Sequence, residues 1–114
     1  MIRIITSTIS IKELKESAKN GLGSLVKAVV DIERNLMAID GVMHADEEQM
    51  LLNDGSHQKN LWGINIYPDL PTADRIEFDS MINIRPSQGN LSRSVENTEI
   101  QNKVRSVVNK IITE

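Results

Sequence analysis

The sequence predicts an α+β fold: a two-layer sandwich of one mostly antiparallel sheet, of about five strands, with two or three helices packed on one face. Alternating or β-branched runs recur at 2–6, 25–33, 36–39, 62–67 and 76–85, the period of strands. Segments with helix signals are interleaved with them, in the order β-α-β-β-α-β-β-α. Short turn-forming stretches, not long crossovers, join most neighbouring strand runs, which makes those pairs antiparallel.

Taken in order, Ile2–Thr6 is a β-branched run and reads as a strand. Ser10 with Glu13 forms a capping box for the first helix, with Ile9 and Leu14 as its hydrophobic staple. Asn20-Gly21 stops that helix. In the next strand, Leu25–Glu33, Ala28, Val30 and Ile32 alternate against Lys27, Val29, Asp31 and Glu33. Arg34-Asn35 makes the tight turn, because Asn tolerates positive φ, and Leu36–Ile39 returns. Asp40-Gly41 marks another turn. Asp46, with Gln49 at the capping-box position, is expected to cap a second short helix that Asn53-Asp54-Gly55 ends.

The segment Asn60–Arg93 is the richest in the chain. Trp62, Ile64 and Ile66 point one way and Gly63, Asn65 and Tyr67 the other. A second strand over Ile76–Arg85 would set Ile76, Phe78, Ser80, Ile82 and Ile84 against Glu77, Asp79, Met81, Asn83 and Arg85. Trp62 belongs to the apolar side, its indole N–H expected on a loop carbonyl, and Gly63 implies a bulge or close backbone approach. Arg85 precedes a proline and stays extended. The last helix runs from about Asn97 to Ile112, with Ile100, Val104, Val107, Val108, Ile111 and Ile112 at helical spacing.

Length and composition bound the classes of function. The 114 residues form a single domain, 1–114, with one core. One Trp, one Tyr and one Phe leave that core to aliphatic side chains. The net charge of −3 is interspersed, with no basic stripe, so no nucleic-acid partner is expected. Cysteine is absent, which excludes a disulfide framework, a thiolate nucleophile and a Cys-based metal site. No apolar run spans a bilayer, so no membrane association is expected. MIRIITSTIS reads as a strand and not as a signal peptide, and the expected location is the cytoplasm. The tripeptide Asn90-Leu91-Ser92 matches a glycosylation acceptor, which has no meaning without a secretory signal.

The polar side of the Asn60–Arg93 segment is the first candidate site. Asn65, Tyr67, Asp79, Asn83, Arg85 and Asn90 are the candidate ligand-binding residues, with Lys27, Asp31 and Glu33 extending the face. A solvated outer face and a homodimer surface explain the same pattern. The density of Asn and Asp argues for more, because both are depleted in strands. The Arg85 guanidinium is expected on Asp79 or Glu77. The loop Arg85–Arg93, with Gly89, hydroxyls and amides, suits a phosphate or carboxylate, although P-loop spacing is missing. An ordinary turn-rich connection is the favoured reading of this loop.

His44-Ala45-Asp46-Glu47-Glu48 with His57 is the third candidate. Two histidines in all make a closed zinc site a poor fit, so neither a metal nor a cofactor is predicted. No Ser-His-Asp or Gly-x-Ser-x-Gly arrangement is present, and catalytic residues are not assigned.

The segments VKAVVDIE (26–33), HADEE (44–48), NDGSHQKNLWGINIYP (53–68) and IEFDSMINIRPSQGN (76–90) together resemble a family of short prokaryotic proteins known only as a domain of unknown function. The resemblance covers nearly the whole chain and implies no activity, ligand or catalytic residue. The residues therefore carry the reading: a small binding or interaction domain, a homodimer, with a small anionic ligand as a further partner. The alternative is a small hydrolase or transferase acting on a phosphorylated or nucleotide-like molecule.

Overall fold

Alternation along the chain becomes a five-stranded antiparallel sheet in the computed structural model, which describes residues 1–114. The elements are β1 (Arg3–Ile5), β2 (Ile9–Ser10), α1 (Ile11–Asn20), β3 (Val26–Asp31), β4 (Leu36–Ile39), α2 (His44–Asn53), β5 (Leu61–Ile66), β6 (Ile76–Glu77), α3 (Thr98–Ile111) and β7 (Ile112–Thr113). The sheet order is β1-β4-β3-β5-β6, with every pair antiparallel. A small parallel pair, β2 with β7, ties the start of α1 to the end of α3.

Local chemistry sets the turns and caps. Asn35 takes φ 57° in the β3–β4 turn, and Asp40 takes φ 72° where β4 ends. The Ser10 hydroxyl accepts from Glu13 N at 3.1 Å, and Asn97 Oδ1 accepts from Ile100 N at 3.1 Å, each satisfying an open amide of a helix first turn.

The two faces of the sheet differ. Val26, Ala28, Val30, Met37, Ile39, Trp62, Ile64 and Ile66 share one face with Leu14 and Ala18 of α1 and Val104, Val107, Val108 and Ile111 of α3. Each fully buried aliphatic chain here stabilises the fold by about 1.5–3 kcal/mol. Val29, Leu36, Ala38 and Leu61 face the other way and meet Leu51 of α2. Two helices thus cover the apolar face, and the third covers part of the opposite one.

Three expectations are corrected. α2 starts at His44, not after Asp46: Met43 is the cap residue, and its carbonyl accepts from Asp46 N at 3.2 Å. Asp46 is an exposed first-turn residue, and Gln49 donates to Asn53 Oδ1 at 3.0 Å instead of closing a capping box. The second correction is the strand over Ile76–Arg85, which pairs only at Ile76–Glu77. The chain then folds back through a 3-10 turn at Met81–Asn83. Ile82 packs on the α2 side and Ile84 is 39% exposed, so neither joins α3. Thirdly, Trp62 is buried in the core as expected, but its indole N–H has no acceptor in the protein.

Candidate functional site

β6 is two residues long, so it cannot cover the whole outer edge of β5. Buried backbone groups must be paired, and side chains of the following segment do that. Asn83, fully buried, accepts from Gly63 N at 2.8 Å through Oδ1 and donates to Gly63 O at 2.9 Å through Nδ2. Its carboxamide thereby offers the two bonds a neighbouring strand residue would. Gly63 is required there: a Cβ would lie 2.6 Å from Ser80 Cβ and Oγ.

Arg85 continues the clasp. Its Nε donates to Ile82 O at 3.0 Å, Nη1 to Gln58 O at 2.9 Å, and Nη2 to Leu61 O. Its carboxylate partner is Glu48 at 3.5 Å, not Asp79 or Glu77, and the guanidinium lies 4.7 Å from the centre of the Trp62 ring. Burial pushes its pKa down, and the Glu48 charge opposes that. Asn90 Nδ2 donates to Asn83 O and Ser94 O, both at 2.7 Å, while its Oδ1 accepts from Glu96 N at 2.9 Å.

The 85–93 loop closes on itself through the Arg85–Asn90 bridge, with Gly89 at φ 76°. The amides of Leu91 and Ser92 donate to Glu96 Oε2 at 2.9 and 2.8 Å. An anion does sit against this loop, and it is the chain's own carboxylate. Bonding to the Ser92 side chain and these amides holds the Glu96 carboxyl below its ordinary range. Asn83, Arg85 and Asn90 are therefore brought together, by bonds internal to the protein.

Asn65, Tyr67 and Asp79 are placed differently. Asn65 Nδ2 and Tyr67 OH both donate to Glu77 Oε1, at 2.8 and 3.0 Å. Asp79 Oδ1 accepts from Arg93 Nε at 2.6 Å. Asn65 and Asp79 line a cleft of about 150 Å³ together with Lys27, His44, Ser80 and Arg93, with Met43, Met81 and Ile82 as apolar lining; Tyr67 stands outside it. Asp31 is occupied in the β3–β4 turn, accepting from Glu33 N and Arg34 N at 2.9 Å, and Glu33 is exposed.

The roof of this cleft is the first turn of α2, where the N–H groups of His44 and Ala45 have no intrahelical acceptor. His44 Nε2 lies 2.7 Å from Ile64 O. A carbonyl only accepts, so Nε2 carries the proton. Burial, and secondarily the Lys27 and Arg93 charges, push the His44 pKa down against that hydrogen bond and Asp79. The ring is neutral, and Nδ1 is left as an acceptor.

One turn further along α2, Glu47 is fully buried, and its Oε2 accepts from Gly41 N at 2.9 Å. Its Oε1 has no partner. Burial raises its pKa to about 9, so it is protonated at neutral pH. Lys27 sits half-buried on β3, opposite Asn65 on β5. It joins none of the ion pairs of the protein. No three His, Asp or Glu side chains meet as a metal-binding group.

Helical spacing of His44, Glu47 and Leu51 was the available signal for the inward face of α2. Residue type alone offers His44 as a metal ligand, whereas its i, i+3 relation to Glu47 is what carries that carboxyl into the interior. Alternation along β3 puts Lys27 on the polar face, and only the register with β5 sets it opposite Asn65.

The family model described as "Protein of unknown function (DUF5674)" matches residues 3–111. The chain belongs to the DUF5674 family. No curated protein and no solved structure matches it. Membership in DUF5674 brings a fold-length relationship and no activity, so function has to be argued from the cleft. No helix of the protein is long and apolar enough to cross a membrane.

Proposed function

We propose that this DUF5674 chain is a small-ligand-binding domain, that its site is the cleft between the first turn of α2 and the Phe78–Arg93 segment, and that the ligand is anionic. The single observation that carries this is Lys27, a half-buried lysine that lines the cleft and has no carboxylate paired to it. Around it, Asp79 is balanced by Arg93, His44 is neutral and Glu47 is protonated. One positive charge and the open amides of a helix start remain, an arrangement that favours an anion. The reading moves the site from the 85–93 loop, whose amides are occupied, to the N-terminus of α2.

A cleft of about 150 Å³ corresponds to roughly five water volumes. The ligand part it takes has only a few non-hydrogen atoms. A ceiling of about 1.5 kcal/mol per such atom sets the affinity at micromolar or weaker. Titrating the protein with acetate and with inorganic phosphate, followed by amide NMR, tests the site. Shifts at Lys27, His44 and Ala45 that disappear in Lys27→Gln are expected. Shifts confined to the 85–93 loop, or none at all, would overturn it.

A catalytic reading has one observation in its favour, the free Nδ1 of a neutral His44 beside Asp79. Ser80 is a poor nucleophile, since its Oγ accepts from Ile82 N and is wedged against Gly63. A hydrolase of phosphate esters would release phosphate to water in a His44-dependent way, and a transferase would pass the phosphoryl group to an added alcohol with the same dependence. His44→Gln retaining either activity would exclude it.

We also propose a homodimer across the outer edge of β1, the main-sheet edge left open beside β4.

A further inference from the structure

Asn65 is 8% exposed, and its side chain is only half satisfied. Nδ2 donates to Glu77 Oε1 at 2.8 Å and to Asp79 O at 3.5 Å, on the β6 side. The other arm of the carboxamide is left over from these bonds, and Lys27 of β3 is the cross-strand neighbour of Asn65. That arm, Oδ1, is buried without a partner. A buried acceptor left unmet costs stability, and Oδ1 can be met only by a donor. An anion that merely accepts hydrogen bonds, such as acetate, leaves it unmet.

Cross-strand side chains begin about 4.5–5.5 Å apart. A ligand that satisfies both Lys27 and Asn65 therefore needs its anionic oxygens and its donor on neighbouring atoms. The floor holds a second acceptor group suited to a donor, the Asp79 carboxylate, whose Oδ1 already takes Arg93 Nε. Met43 and Met81, 57% and 64% exposed, stand at the mouth. Flexible thioethers accommodate varied apolar surface, so the part of the ligand beyond the polar head is loosely specified.

We infer that the cleft recognises a carboxylate bearing a hydrogen-bond donor on the adjacent carbon, an α-hydroxy or α-amino acid head, with the carboxylate on Lys27 and the α2 amides and the donor on Asn65 Oδ1. This rests on the proposal that the cleft is the binding site, and it adds the class of ligand. A hydroxyl needs Asn65 alone, whereas an ammonium is drawn to Asp79 as well.

The test compares acetate, glycolate and glycine as probes by NMR titration of the intact chain. Glycolate or glycine should bind about tenfold more tightly than acetate, the worth of one hydrogen bond to a buried acceptor. The Asn65 side-chain amide resonances should shift with that probe and not with acetate. Asn65→Leu should erase the difference between the probes. Glycolate ahead assigns a hydroxy acid, and glycine ahead assigns an amino acid. Equal binding of all three probes at Lys27 and His44 overturns the inference and leaves the anion site standing. A donor advantage without any shift of the Asn65 side chain also overturns it, and needs no variant. Binding of none of them at the cleft removes both.

Discussion

Glu47 shows how far one buried side chain governs the response to pH. Its carboxyl keeps its proton in the folded protein up to about pH 9, whereas in the unfolded chain it ionises in the ordinary carboxylate range. Between those values the unfolded state binds fewer protons, so stability falls as pH rises. Urea melts at about pH 5 and about pH 8.5 should show a loss that Glu47→Gln largely removes, because the amide is neutral throughout. An identical pH profile for both proteins would mean that Glu47 is ionised at neutral pH. Arg85 is the second case. Lysine cannot reproduce a guanidinium that serves Ile82, Gln58 and Leu61 carbonyls together. Arg85→Lys should cost about 1–3 kcal/mol in a denaturant melt, with acetate binding at the cleft unchanged. Lost binding at full stability would return Arg85 to the site.

At the scale of elements, the outer edge of β5 explains why so many amides crowd one segment. A longer β6 would have used backbone groups; here its pairing stops at Glu77, and the side chains of Asn83 and Arg85 finish the edge residue by residue. The expected cost of Asn in a strand does not arise at Asn83, which lies in a 3-10 turn and pairs with the strand from its side chain. The opposite balance holds for α3, whose fit to the sheet is entirely apolar. Val108 is fully buried among α1, α3 and the sheet. Val108→Asp places a charge there without a partner, which costs several kcal/mol. Its thermal unfolding should show a collapse of the melting temperature or no cooperative transition, and an unchanged value would disprove the packing.

For the whole molecule, edges decide association. Leu36–Ile39 is interior, paired with β1 on one side and β3 on the other. The open edge beside it is Arg3–Ile5. A homodimer by strand addition there would continue the sheet. Sedimentation equilibrium at tens of micromolar, about the range for weak pairs, should return twice the chain mass; a monomer throughout would rule it out.

The sequence by itself determined the parts set by local periodicity and turn chemistry: α1 with its Ser10 cap, the β3–β4 hairpin at Asn35, the strand over 61–66 and the apolar stripe of α3. It also marked Asn65, Asp79 and Asn83 as unusual for a strand. What those residues do was decided only in three dimensions. Period two continues on paper through Ile76–Arg85, yet the chain turns after Glu77 because Asn83 and Ser80 fit Gly63 better than a ladder would. The covered polar face follows from α2 crossing it. Whether Asn65 Oδ1 and Lys27 find partners depends on which groups that packing leaves within reach, and spacing along the chain carries no record of it. Hydrogen bonds between distant segments are long-range choices among many local possibilities, and burial alone makes one of them obligatory.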